Sequence, residues 1–127
     1  GRYNRATVRG RQVPPVRNGK PMRSISATEL SRRLADASSA PLLLDVREPW
    51  EFALCHIDGA TSMPMGSVPA RVGELDPDAE IVVVCHHGMR SAHVCMFLER
   101  QGFSRVTNLT GGVAAWADEV DPAMPRY

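Results

Sequence analysis

Cysteine is scarce in this chain of 127 residues: Cys55, Cys85 and Cys95 are the three present, and no two are spaced as a CxxC pair. So odd and sparse a set argues against a disulfide framework and against a structural zinc knuckle. Free thiols in a reducing compartment are expected instead. Long apolar runs are also missing: none approaches the roughly 18 residues that span a bilayer, and no apolar segment follows the basic N-terminal stretch as a secretory signal requires. A cytoplasmic protein with no membrane partner is the expectation. Acid is absent from residues 1–23, which hold seven of the 15 basic residues; residues 24–127 therefore carry 8 basic against 14 acidic residues, a net of −6 beneath the overall +1.

The two parts differ in kind. Residues 1–23 contain Pro14-Pro15, Asn18-Gly19 and Pro21 with neither helical nor strand periodicity. They are expected to be a basic extension, flexible or introduced by cloning. Their like charge suits a nucleic-acid arm, but Tyr3 is their one aromatic residue for stacking on bases, so nucleic acid is not an expected partner. Residues 24–127 read as one globular domain with one core; the chain's 43% hydrophobic and 23% charged residues are ordinary for such a domain.

Within that domain, apolar runs alternate with helical patterns. Ser26-Ala27-Thr28-Glu29 is a capping box opening a helix through Leu30 and Leu34. Leu42-Leu43-Leu44-Asp45-Val46-Arg47, bounded by Pro41 and Pro49, reads as a strand buried on both faces. A short helix over Glu48–Leu54 and a short strand near Thr61 follow. Met65–Leu75 then has a weak helical pattern, Ile81–Val84 is a second buried strand, and Ser91–Gln101 is helical with Gly102 as its stop. Val106–Leu109 is a further strand, and Gly111-Gly112 leads into a last helix carrying Val113 and Trp116. Such alternation predicts an α/β fold with a parallel sheet and helices on both faces. Asp45 and Arg47 then lie at the carboxyl edge of the sheet, where ligand groups collect. Asp45 also suits a simple role, capping the following turn.

Cys85 ends the most apolar strand and is followed by His86-His87-Gly88-Met89-Arg90-Ser91. Amides of that loop, curling ahead of a helix, make a cradle for negative charge, and Arg90 adds a cation. Such surroundings favour a thiolate, the nucleophilic form of cysteine. Phosphatase loops have five residues between cysteine and arginine, whereas Cys85 and Arg90 are separated by four. The shorter ring suits a smaller anion than a phosphoryl group, such as the terminal sulfur of a persulfide on Cys85, with no metal or organic cofactor. His86 and His87 are adjacent, and His93 and Cys95 point to different faces of a helix, so a metal site is not expected. His56 suits either a general base or a histidine fixing a turn. Cys95 reads as a small buried apolar residue.

Three further stretches, in order along the chain, resemble the motifs of the rhodanese family. Asp45-Val46-Arg47 with Glu51-Phe52 resembles D-V-R-x-x-x-E-[FY]. His56-Ile57-Asp58-Gly59-Ala60 resembles H-I-x-G-A. Leu109-Thr110-Gly111-Gly112 with Ala115-Trp116 resembles L-x-G-G-x-x-A-W. The resemblance spans about Ser24 to Trp116 and implies a single-domain sulfurtransferase. Its fold would be three-layered, with a central, mostly parallel five-stranded sheet flanked by helices. It implies that Cys85 takes sulfane sulfur from a donor such as thiosulfate and passes it to cyanide or a thiol acceptor, as a thiosulfate:cyanide type transferase does. In this scheme Cys85 is catalytic, residues His86–Ser91 bind the anion, and Asp45, Arg47 and His56 support them. Cys55, Ser62 and His86 depart from the family pattern; a neutral His86, where thiosulfate users often have a basic residue, leaves donor choice open. A sulfur carrier or binding module serving a protein acceptor is the alternative, with a cysteine phosphatase or arsenate reductase behind it.

Overall fold

The computed structural model describes residues 22–127 in full. Before them it describes the backbone of four two-residue strands paired as antiparallel hairpins, Thr7–Val8 with Arg11–Gln12 and Val16–Arg17 with Lys20–Pro21. The rest of the expected basic extension lies outside the described residues, apart from Met22 and Arg23.

Five strands form the central sheet: β1 (Ser24–Ile25), β2 (Leu42–Asp45), β3 (Thr61–Ser62), β4 (Ile81–Val84) and β5 (Val106–Leu109). Their order is β1-β5-β4-β2-β3, and every neighbouring pair is parallel. Parallel neighbours need crossover connections, which the helices supply. These are α1 (Ala27–Leu34), α2 (Pro49–Leu54), α3 (Val68–Arg71), α4 (Met89–Arg100) and α5 (Gly112–Glu119). The result is the expected three-layer α/β fold.

All four residues of β4 are buried because the strand is central and covered on both faces. Side chains alternate across a strand. Val82 and Val84 therefore pack with Ala27 and Leu30 of α1 and Val113 and Trp116 of α5. Ile81, Val83 and Cys85 pack instead with Val68, Val94, Cys95 and Leu98 on the side of α3 and α4. Each such aliphatic side chain contributes about 1.5–3 kcal/mol by leaving water.

Three local details differ from the sequence reading. Ser26 caps α1 by accepting from the Glu29 amide at 3.1 Å, but the Glu29 carboxylate meets Arg32 at 3.0 Å rather than turning back to the cap. The edge strand β1 was not anticipated, because two residues show no periodicity; it is held by Asn108 N–H to Arg23 O at 3.0 Å and Thr110 N–H to Ile25 O at 2.9 Å. Finally, α4 begins at Met89, ahead of the expected Ser91, since Gly88 turns the chain with φ +105°.

The register decides what meets at the carboxyl edge. Asp45 pairs with Val84, the residue before Cys85, while Asn108 pairs with Val83. Three strands thus bring Asp45, Cys85 and Asn108 to one edge of the sheet. Among the described residues, no helix is long and apolar enough to cross a membrane.

Candidate active site

Cys85 follows β4 directly and is 1% exposed. Its carbonyl and that of His86 accept the Val113 and Ala114 amides at 2.9 and 3.0 Å, which ties the loop to the start of α5. So close an approach needs glycine at position 112: a Cβ there would fall 2.3 Å from Cys85 O and 2.5 Å from His86 O, and φ is +60°. Gly112 is therefore a packing requirement of the cysteine loop, not merely part of a helix start.

The six loop residues divide into a turn, His86–Gly88, and the first turn of α4, Met89–Ser91. From the turn, Gly88 N–H donates to Cys85 Sγ at 3.0 Å. From the helix, buried Ser91 places its Oγ 3.2 Å from the same sulfur. His87 and Met89 face solvent, Met89 with 75% of its surface exposed.

Arg90 does not stand free over the sulfur. Its guanidinium meets the Glu51 carboxylate through Nη1–Oε1 at 2.7 Å and Nη2–Oε2 at 3.0 Å. Glu51, 4% exposed, is held further by Glu48 N–H at 2.9 Å and the Tyr127 hydroxyl at 2.7 Å. The Arg90 hydrogen bonds, outweighing the upward push of burial, bring its carboxyl down to about 2. The same bonds raise the Arg90 guanidinium. The cation expected to face an anion is thus offset by a carboxylate, and it ties α4 to α2.

Asp45 and Arg47 form a second, fully buried pair: Nη2 lies 2.7 Å from Oδ2 and Nε 2.9 Å from Oδ1. Asp45 Oδ1 also accepts the Arg47 amide at 3.1 Å, the turn-capping role weighed above. Arg47 then donates to Cys55 O at 2.7 Å and to the Tyr127 hydroxyl at 2.8 Å. Burial pulls the guanidinium down, but its bonds to Asp45 and Tyr127 outweigh this and leave it raised. Tyr127 is pushed up to about 12, chiefly by burial. Its ring stacks on His86 at 3.9 Å and 8°. Burial, then neighbouring His87, lowers His86, which favours its neutral form. An unbroken chain of contacts, Asp45–Arg47–Tyr127–Glu51–Arg90, therefore backs the loop.

His56 stands apart from this chain. Its Nδ1 is 2.8 Å from Phe52 O and its ring stacks on Phe52 at 3.9 Å, so it secures the end of α2. Cys55 and Cys95 are buried among apolar residues, and burial pushes the Cys95 thiol up. Among the described residues, no group of three His, Cys, Asp or Glu is placed to hold a metal ion.

Sequence reasoning did not pick out Tyr127 or Asn108, and it took Glu51 only as part of a motif. A tyrosine beyond the last helix has no period to reveal it. An asparagine inside a short strand reads as filler, although a polar residue one position before a strand's carboxyl end was a usable signal.

A buried sulfur contacted by an amide N–H and a hydroxyl, on a loop braced by two ion pairs, is a setting for nucleophilic sulfur chemistry. A family model for the rhodanese-like domain matches residues 26–119. A sulfurtransferase of Allochromatium vinosum is 43% identical over 93 residues, covering 73% of this chain and 86% of that protein. A thiosulfate sulfurtransferase of Pseudomonas aeruginosa is 37% identical over 90 residues, covering 71% of this chain and 80% of its own. The crystal structure of a rhodanese-like domain protein from Staphylococcus aureus aligns with a TM-score of 0.72 at 34% identity, over 78% of this chain and 95% of that one. With a family match across most of its length and relatives of this similarity, the chain belongs to the rhodanese family.

Proposed function

We propose that this protein is a sulfurtransferase that moves sulfane sulfur from a donor such as thiosulfate to cyanide or a thiol acceptor through a persulfide on Cys85. The observation that carries the reading is the Gly88 N–H, 3.0 Å from Cys85 Sγ, at the mouth of a parallel sheet. In the first half-reaction the Cys85 thiolate attacks the outer sulfur of thiosulfate, an S–S bond forms, and the donor's own S–S bond breaks to release sulfite. In the second, cyanide attacks the terminal sulfur; thiocyanate leaves and the Cys85 thiolate returns. The Gly88 amide offers a fixed dipole to the sulfur's negative charge in both.

The other residues position this centre. Glu51 and Arg90 fix the first turn of α4. Asp45 and Arg47 hold α2 and Tyr127 against the loop, and His56 closes α2. The four-residue separation of Cys85 and Arg90 supports sulfur over phosphoryl transfer, so aryl phosphates are not expected to turn over. Residues 24–127 carry the activity, and deleting residues 1–21 is expected to leave both melting temperature and transfer rate unchanged. The proposed sulfur transfer needs no cofactor, and a reducing cytoplasm suits the free thiols.

A second reading, a sulfur carrier that meets a protein acceptor, draws on the apolar side chains around the loop. Met89 is 75% exposed, and Trp50, 62% exposed, packs edge-on against Tyr127. Thiocyanate production by the isolated protein decides between them. Brisk turnover supports the free enzyme; stoichiometric loading with sulfur but slow release to cyanide supports the carrier. No loading from any sulfane donor would overturn both.

A further inference from the structure

We propose that Asn108 controls how readily Cys85 becomes a thiolate, by competing with the cysteine sulfur for the single proton of Ser91. The inference rests on the proposed role of Cys85 as the sulfur-accepting nucleophile, and it assigns Asn108 as a positioning residue for that step.

Asn108 has a fixed orientation. Its Nδ2 donates to the Gly88 carbonyl at 3.1 Å, which turns Oδ1 toward Ser91. A carbonyl oxygen only accepts, so across the 2.5 Å Ser91 Oγ–Asn108 Oδ1 contact the hydroxyl donates. A hydroxyl has one hydrogen. At the 3.2 Å contact with Cys85, Ser91 therefore offers a lone pair, and the S–H donates to it. The hydrogen-bond pattern is that of the thiol.

When the thiol proton leaves to solvent, the demand reverses. A thiolate needs donors, and the Ser91 hydroxyl must turn from Asn108 to the sulfur, leaving Oδ1 without that proton. Ser91 is fully buried, so water does not readily take its place. Asn108 thus acts as a brake on the thiolate, exerted through Ser91. Its other contact, at Gly88 O, is shared with the Ala92 amide at 3.3 Å, so the Gly88 peptide keeps its direction without Asn108.

The other charged and titratable groups around the sulfur are common to the parent and the Asn108 variants. They are Arg90 and Cys95 on α4, His86 and His87 on the turn, Glu51 on α2, and Asp45 and Arg47 at the end of β2. Tyr127 lies behind His86, and Asp118 of α5 lies beside the turn. Their influence cancels in a comparison of variants.

The test is the pH profile of Cys85 alkylation by iodoacetamide, resolved from Cys55 and Cys95 by peptide mass. Freed from its competitor, Ser91 can serve the sulfur. Asn108→Leu is then expected to move the profile to lower pH by about half to one unit, the worth of one hydrogen bond. Ser91→Ala, which removes the donor, moves it to higher pH by about one unit. Asn108→Leu added to Ser91→Ala changes nothing further. Asn108→Ala carries the same expectation if the leucine variant does not fold. A shift of the Asn108 variants to higher pH, or an unchanged shift in the Ser91→Ala background, overturns the inference. Alkylation needs no sulfur donor: if the shifts appear but the protein never loads sulfur, the proposed function fails while the role of Asn108 stands.

Discussion

Glu51 and Arg90, 39 residues apart, meet as fork to fork, Oε1 to Nη1 at 2.7 Å and Oε2 to Nη2 at 3.0 Å. The carboxylate is almost closed off, while a third of the arginine side chain remains open to water. This pair joins the helix after β2 to the helix after Cys85, so the shape of the cysteine loop depends on a contact outside it.

The pair makes acid stability measurable. Glu51 in the folded protein sits at about 2, below its ordinary 4.5. The pair therefore stabilises the fold fully above about pH 4.5, and the stabilisation is lost as pH falls through about 2. Its worth is about 2 kcal/mol, reduced from the full linkage value because Arg90 is partly solvated. Melting temperature followed from neutral pH to pH 2 should fall less steeply for Glu51→Gln than for the parent. Parallel acid limbs would show that the pair contributes nothing.

Gly112 is the narrowest point of the site. Gly112→Ala places a methyl group 2.3 Å from Cys85 O at a positive φ, so the loop must move. The expected cost is about 2–3 kcal/mol with sulfur loading nearly abolished. Gly66→Ala meets open space and serves as the comparison, within about 0.5 kcal/mol of the parent. Equal stability of the two variants in urea would refute the close-approach argument.

Asp45 holds a guanidinium that is fully buried. Asp45→Ala leaves Arg47 as an uncompensated interior charge, costing about 3–5 kcal/mol, whereas replacing both by apolar residues costs less. Denaturant midpoints of the single and double variants test this; a double variant weaker than either single one would contradict it.

Burial, then neighbouring His87, lowers His86 and favours its neutral form, whereas thiosulfate carries two negative charges. His86→Lys, placing a cation beside the turn, is expected to lower KM for thiosulfate several-fold with a smaller change in kcat. An unchanged or higher KM would show that position 86 does not set donor choice.

Much of the architecture was readable from residue patterns. Two apolar runs announced β2 and β4, because buried parallel strands carry no polar alternation. Cys85 was conspicuous at the end of the more apolar of them. What the pattern concealed was pairing across long separations. Arg90 read as a free cation because nothing local shows that Glu51 reaches it. Tyr127 and Asn108 gain their meaning only when three strands align their carboxyl ends. Glu29 shows the same limit on a smaller scale: its spacing from Ser26 suits a capping box, yet Arg32, one turn on, takes the carboxylate.

The central claim, sulfur carried on Cys85, is tested most directly by intact mass after incubation with thiosulfate. The parent protein is expected to gain one sulfur atom that cyanide removes. Cys85→Ala should gain none, while Cys55→Ala and Cys95→Ala load as the parent does. Failure of the parent to load with thiosulfate or any other sulfane donor, or an equal gain in Cys85→Ala, would contradict the account.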